Sequence, residues 1–232
     1  MIVYGKNVIR EAIFAKRPIY QVYIDDKIND HHFLAFLKDK GVEFKRISKG
    51  ELNNMTDNGV HQGVVADIKE YSYYELDDLI DTNKRQRFLI LDGIEDPHNL
   101  GAVMRTAEAT QLDAIIMSSR GQVTLNATVA KVSSGAIEHV PVILVTNINQ
   151  AIKKLQENFF IVVGTDGATT KTYNDIPLEP SIAIVLGNEG EGIRPLVKQN
   201  CDMLVKIPMY GKLNSLNVSV AAALMMYATL KK

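Results

Sequence analysis

Cysteine is almost missing: 232 residues contain one, Cys201. A lone thiol excludes an intramolecular disulfide, and no Cys/His cluster stands at zinc spacing, so no metal site is expected. An excess of charge of one sign is missing too. With 26 Lys/Arg against 27 Asp/Glu the formal net charge is −1, and bulk electrostatics supply none of the basic surplus usual in nucleic-acid binders. Long apolar runs are absent. The longest, residues 218–228 interrupted by Ser219, falls well short of the ~20 residues a membrane span needs. The opening MIVYGKNVIREAI has no apolar h-region of a signal peptide. The expectation is a cytoplasmic protein with no membrane partner, long enough for one large domain or two smaller ones.

What is present falls into two patterns. Residues 1–68 read as a compact α/β unit, with helices over 6–15 and 31–40 and strands over 21–25, 42–47 and 63–68. Residues 69–86 are polar and read as a linker with a short helical segment, holding nothing that must be buried. From 87 to 232 short Ile/Val/Leu strands alternate with helices. The strands fall at 88–92, 114–117, 141–145, 160–165, 182–186 and 203–207, and the helices at 100–110, 125–133, 148–158, 193–199 and the chain's end. Such alternation indicates a mainly parallel sheet covered on both faces. Parallel sheets bind ligands beyond the carboxyl ends of their strands, so chemistry belongs in the loops that follow strands.

Three of those loops are more than connectors. In LDGIEDPHNLGAVMRTAEA (91–109), Asn99 stands where a helix N-cap is expected and Arg105 lies on an otherwise small, apolar helix start. In IVLGNEGEGIRP (184–195), Gly187, Gly190 and Gly192 follow a buried strand and let backbone approach a ligand closely. Their GxxGxG spacing on a late strand is not a dinucleotide fingerprint, and Glu189 and Glu191 would repel phosphate. A neutral or cationic ligand fits better. In KIPMYGKLNSLNVSVAAALMMYA (206–228), the last helix opens on Asn214, Ser215, Asn217 and Ser219 and continues almost apolar all round. A single cap and stripe would not require that combination.

Together these segments resemble the three motifs of the SpoU (TrmH) branch of the SPOUT RNA methyltransferases, in order and across residues 88–230. Residues 1–68, with GVHQGVVA at 59–66, are similar to the small ribosomal-protein-like substrate-binding domain of the RlmB-type 23S rRNA guanosine 2′-O-methyltransferases. The resemblance implies a C-terminal α/β knot, with the chain end threaded through a preceding loop as a deep trefoil, although true knots are rare. It implies a homodimer through the C-terminal domain and S-adenosylmethionine as methyl donor. The reaction implied is ribose 2′-O-methylation of a guanosine in 23S rRNA. Guanosine methylation of tRNA, adenosine methylation of rRNA, and a non-catalytic RNA-binding ribosome-assembly factor stand as alternatives.

Residue roles carry over by the same resemblance. Asn99, Arg105, Glu189, Ser215 and Asn217 form the catalytic set, and Leu186, Gly187, Ile207, Met209 and Leu216 hold the donor. Arg105 is permanently cationic and suits a phosphate or a developing oxyanion better than the part of a general base. Residues 1–70 hold 11 Lys/Arg against 10 Asp/Glu, so RNA contact there falls to local groups. Lys6, Arg10, Lys16 and Arg17 on the first helix are candidates, with Lys84, Arg85 and Arg87 beside the linker. His61 and Gln62 could hydrogen-bond an unpaired base; a tight turn into the strand at 63–68 accounts for them equally well.

Overall fold

The computed structural model describes residues 1–188 and 190–230. The chain forms two units, residues 1–72 with 125–139 and residues 73–124 with 140–232.

The first unit is built on a four-stranded sheet. Its strands are β1 (Ile2–Tyr4), β2 (Ile19–Asp25), β3 (Phe44–Ile47) and β4 (Val64–Ile68), in the order β1-β4-β2-β3. β4 runs antiparallel to both neighbours, while β2 and β3 are parallel. Three helices accompany the sheet, α1 (Lys6–Phe14), α2 (His31–Asp39) and α3 (Lys49–Met55). Val8, Ile9 and Ala12 of α1, Phe33 and Leu37 of α2 and Leu52 of α3 are buried with Val22, Ile24 and Val64–Ala66 of the strands. α3 and β1 go beyond the sequence reading. Ser48 and Glu51 cap α3 reciprocally, each side chain bonding the other's backbone N–H, and this S-x-x-E box is a helix start without an apolar run to advertise it.

Segment 125–139, which chain order assigns to the second unit, is compact with the first. It contains the helix α4 (Ala127–Val132), capped by the Asn126 side chain. Arg17 pairs with Glu138 at 2.6 Å and stacks 4.2 Å from the centroid of the Tyr71 ring. His139 meets Glu11 at 2.8 Å. The Glu138 carboxylate is almost fully buried, so its charge is tolerable only because Arg17 answers it.

The second unit is a six-stranded sheet in which every pairing is parallel. Its strands are β5 (Arg87–Asp92), β6 (Ala114–Ser118), β7 (Val142–Val145), β8 (Phe160–Thr165), β9 (Ser181–Gly187) and β10 (Met203–Val205), in the order β10-β8-β9-β5-β6-β7. The expected mainly parallel sheet is thus observed. Phe88, Ile90, Ile116, Val162 and Val185 pack on Ile148, Ile152 and Leu155 of the helix at Ile148–Glu157. Helices α5 (Pro97–Ala109) and α6 (Val218–Ala228) pack on each other, and α6 also meets β9. Among the described residues no helix is long and apolar enough to cross a membrane.

The stretch 69–86 does contain buried groups, contrary to its polar appearance. Leu76 joins the core of the second unit and Gln86 is only 2% exposed. The Gln86 amide accepts from the Asp81 N–H and donates to the Leu79 carbonyl, closing the turn before β5. Arg87 is likewise buried. Its guanidinium donates to the carbonyls of Thr110, Gln111 and Met226, and burial lowers its pKa. Arg85 donates to the carbonyls of Pro180 and Thr229. Between them the two arginines satisfy carbonyls at the carboxyl ends of α5 and α6, where cations are favoured.

Candidate active site

The carboxyl ends of β8, β9, β10 and β5 deliver four loops, and three of them enclose a cavity of about 810 Å³. Its wall contains Leu186, Gly187, Ile207, Met209 and Leu216, the five residues assigned to the donor, together with Ser215 of the catalytic set. These positions are up to 30 residues apart in sequence. The return of the chain from edge strand β10 to α6 brings them to one site.

The loop after β9 closes on itself. Asn188 N–H donates to Gly192 O at 3.1 Å, and Gly192 N–H returns to Asn188 O at 2.9 Å. A β-carbon on Gly187 would lie 1.9 Å from the carbonyl carbon of Gly192 and 2.2 Å from the Ile193 nitrogen. Glycine is required there by backbone against backbone. The Asn188 side chain ties this loop to the one after β5, donating to Gly93 O at 2.9 Å and accepting from Gly190 N–H at 2.8 Å. Glu189, a catalytic candidate, lies outside the described residues.

A second tie was not legible beforehand. Asp92, at the end of β5, is 2% exposed. Its carboxylate accepts from the Arg194 backbone N–H at 3.1 Å and from Nε at 2.8 Å, and a terminal guanidinium nitrogen lies 2.6 Å away. A buried carboxylate so satisfied fixes the far end of the glycine loop. The available signal was the acid that ends the apolar run Phe88–Leu91, paired with the arginine before Pro195. Lys198 pairs with Asp166 of the cavity wall, holding that carboxyl below the usual range, with the Ala168 N–H as a second cause.

Asn99 and Asn217 meet. Asn217 Nδ2 donates to Asn99 Oδ1 at 3.0 Å, while Asn217 Oδ1 accepts from the Ser219 N–H at 2.9 Å and caps α6. Asn99 is not the N-cap expected for it. Asp96 caps α5 by accepting from the His98 N–H, with Pro97 in the first position, because Asp-Pro supplies both the acceptor and the preset φ. Asn214 and Ser215 also precede the helix, which begins only at Val218; they line the cavity instead of a first turn. Arg105 is exposed on α5 and is not part of the cavity wall.

Four RNA candidates of the first unit, Lys6, Arg10, His61 and Gln62, are engaged within it. Lys6 pairs with Asp30 at 2.5 Å, and this contact holds the Asp30 carboxyl down at about 2. The Arg10 guanidinium lies 5.6 and 5.5 Å from the ring centroids of Phe33 and Phe36. His61 is buried, its Nε2 2.8 Å from Asn53 Oδ1 and its Nδ1 accepting from the Gly63 N–H at 2.9 Å. Since Nδ1 accepts, the ring is neutral with its proton on Nε2. Gln62 has φ +55° and accepts from Lys131 Nζ at 3.3 Å. His61 and Gln62 thus build the turn into β4.

Comparison with known proteins agrees with this geometry. The sequence pattern described as the SpoU rRNA methylase family matches residues 86–227, and that described as RNA 2′-O ribose methyltransferase substrate binding matches residues 2–74. A Staphylococcus aureus (strain COL) protein named as a TrmH family tRNA/rRNA methyltransferase is 43% identical, covering 100% of this chain and 96% of its own. A Bacillus subtilis (strain 168) protein with that family name is 41% identical, covering 99% and 95%. The crystal structure of the SpoU methyltransferase AviRb from Streptomyces viridochromogenes, in complex with the cofactor AdoMet, superposes with a TM-score of 0.83 at 21% identity, covering 99% of this chain and 88% of that one. With its parallel sheet, its glycine loop closed on backbone and its Asn99–Asn217 contact all falling inside the matched span, the chain belongs to the SpoU rRNA methylase family.

Proposed function

We propose that this protein is an S-adenosylmethionine-dependent RNA ribose 2′-O-methyltransferase acting on a guanosine of 23S rRNA, and that it works as a cytoplasmic homodimer. The observation that carries the reading is the single cavity that gathers Leu186, Gly187, Ile207, Met209, Ser215 and Leu216 from separate loops. Its volume of about 810 Å³ is in the range of small-molecule sites, and its lining joins apolar side chains to closely approachable backbone at Gly187. These features fit a donor made of a nucleoside and an amino acid. When bound, the donor supplies an activated methyl group.

The chain's own residues then have three tasks. Leu186, Ile207 and Leu216 exclude water around the donor, and backbone groups near Gly187 and Met209 orient it. Ser215, Asn99 and Asn217 position the ribose. The Asn99–Asn217 hydrogen bond fixes which way both amides point, so their polar ends are preorganised. Arg105 offers a fixed positive charge to the hydroxyl oxygen as it loses its proton, or to the adjoining phosphate. A guanidinium holds its proton too tightly to serve as the base. Glu189 is proposed as the group that orients Arg105 or accepts the proton.

The preference for rRNA is supported by the match of residues 86–227 to the SpoU rRNA methylase family and by the likeness of residues 1–68 to the RlmB-type substrate-binding domain. Residues 2–74 support an RNA substrate more generally. The homodimer rests on α6. Val220, Leu224 and Tyr227 are 48%, 39% and 56% exposed and share one stripe at i, i+4 and i+7. Opposite them Val218, Ala222, Met225 and Met226 are buried. Threading of the chain end through a preceding loop, the expected knot, is part of the same proposal.

Mass-spectrometric mapping of ribose methylation in rRNA and tRNA, with and without the gene, tests the reading. One 23S guanosine should lose its methyl group in the deletion. A lost tRNA methyl would move the substrate, and an unchanged methylation map in both RNAs would end the proposal.

A further inference from the structure

Resting on the reading that this chain binds RNA, a second cavity names the place where it does so. A recess of about 450 Å³ opens on the first unit between the end of α1, the start of β2 and the segment after α2. Its wall includes Lys16, Tyr20, Gln21, Lys40 and Glu43.

Two of these residues are held in ways that folding alone does not favour. Tyr20 sits on β2, where Val22 and Ile24 face the core. Strict alternation would turn residue 20 to that same buried face. A β-bulge intervenes, since Ile19 pairs with Ile68 and Gln21 with Asp67, leaving Tyr20 the extra residue. The ring is 65% exposed as a result. Bulges commonly re-aim a side chain in this manner. Lys16 has φ +55° just past the end of α1, a position that helices usually give to glycine. A lysine there accepts backbone strain to put a cation at the rim.

The remaining groups complete a small polar recess. Lys40 is exposed, with the Asp39 carboxylate 3.3 Å from its ammonium. The Gln21 amide donates to the Val22 carbonyl and keeps its oxygen for a ligand. Glu43 can only accept, so it suits a base edge that donates. Arg17 also borders the recess, but its charge is answered by Glu138.

We propose that this recess takes one unpaired nucleotide of the RNA substrate, the base stacked on Tyr20 and the flanking phosphates against Lys16 and Lys40. Aromatic faces bind single-stranded bases with little regard to sequence, and cations follow the backbone.

The test measures binding of the full-length protein to a fluorescein-labelled single-stranded RNA decamer of mixed sequence, over a salt series. Tyr20→Ala should weaken binding about tenfold, and Tyr20→Phe should stay within about twofold because the ring remains. Lys16→Gly should flatten the salt dependence by roughly one phosphate contact. Glycine suits that backbone, so the variant cannot be dismissed as misfolded. Wild-type affinity in Tyr20→Ala would overturn the site, as would equal losses in Tyr20→Ala and Tyr20→Phe. Methyl transfer to rRNA is read in parallel. Wild-type transfer with unchanged Tyr20→Ala binding overturns the recess alone. A Tyr20-dependent affinity without any wild-type transfer supports the recess and removes the assignment of activity.

Discussion

Gly187→Ala places one methyl group where the structure has backbone. The added carbon would lie 1.9 Å from the Gly192 carbonyl carbon, 2.1 Å from its oxygen and 2.2 Å from the Ile193 nitrogen. Ordinary carbon contacts begin near 3.4 Å, so the glycine loop must retreat by roughly 1.5 Å. None of the obstructing atoms belongs to a side chain that could swing away. Retreat breaks the paired Asn188–Gly192 backbone bonds, at about 0.5–1.5 kcal/mol each, and overpacking adds about 1–3 kcal/mol. The expected loss is about 2–6 kcal/mol locally, read as a lower urea midpoint and at least a tenfold weaker affinity for S-adenosylhomocysteine by calorimetry. Gly167→Ala is the control. It borders the same cavity, yet a β-carbon there meets nothing within 4 Å, so its midpoint should hold or rise slightly. If Gly187→Ala kept the wild-type midpoint and affinity, the close-packed loop would not exist as described.

Arg194→Ala leaves the buried Asp92 carboxylate with the backbone N–H as its remaining Arg194 partner; discounted for the half-exposed guanidinium, the cost should be about 1–3 kcal/mol. Asp92→Asn, which keeps an acceptor, should lose less, and urea titration of both variants checks the order. His61 is buried and its pKa is lowered, first by burial and then by Lys49. Its folded pKa lies below the unfolded value near 6.5, so the unfolded chain binds more protons as pH falls. Stability of the first unit should therefore be full above about 6.5 and decline below it, and His61→Gln should flatten that decline in midpoints taken between pH 7.5 and 5.5. Leu224→Glu puts a carboxylate into the exposed stripe of α6, where a monomer keeps it hydrated; sedimentation should show the dimer lost and the monomer folded, whereas an intact dimer would place the interface elsewhere.

Much of this was legible because the signals were local. Buried parallel strands announce themselves as Ile/Val/Leu runs, and the glycine loop and the Asn/Ser-rich approach to α6 stand in contiguous segments. What escaped involves distance or caps. Nothing in residues 125–139 points to residues 1–72, because the Arg17–Glu138 pair spans 121 positions, and periodicity carries no information over that range. Arg85 and Arg87 read as free cations, yet each serves carbonyls at helix ends that only the folded chain brings near. Asn99 reads as a cap by residue type, but Asp96-Pro97, beginning three residues upstream, opens the helix first. The bulge at Tyr20 reverses an alternation that the sequence states correctly.

Transfer of labelled methyl from S-adenosylmethionine to 23S rRNA by the purified protein, compared with Arg105→Ala, tests the central claim most directly. The wild-type protein should place the label on a ribose 2′-oxygen of one guanosine. Arg105 is exposed and outside the cavity wall, so its alanine variant should bind donor nearly as well and transfer at least a hundredfold more slowly, the scale of losing one electrostatic stabiliser. Label on a base atom, or equal transfer by Arg105→Ala, would contradict the account.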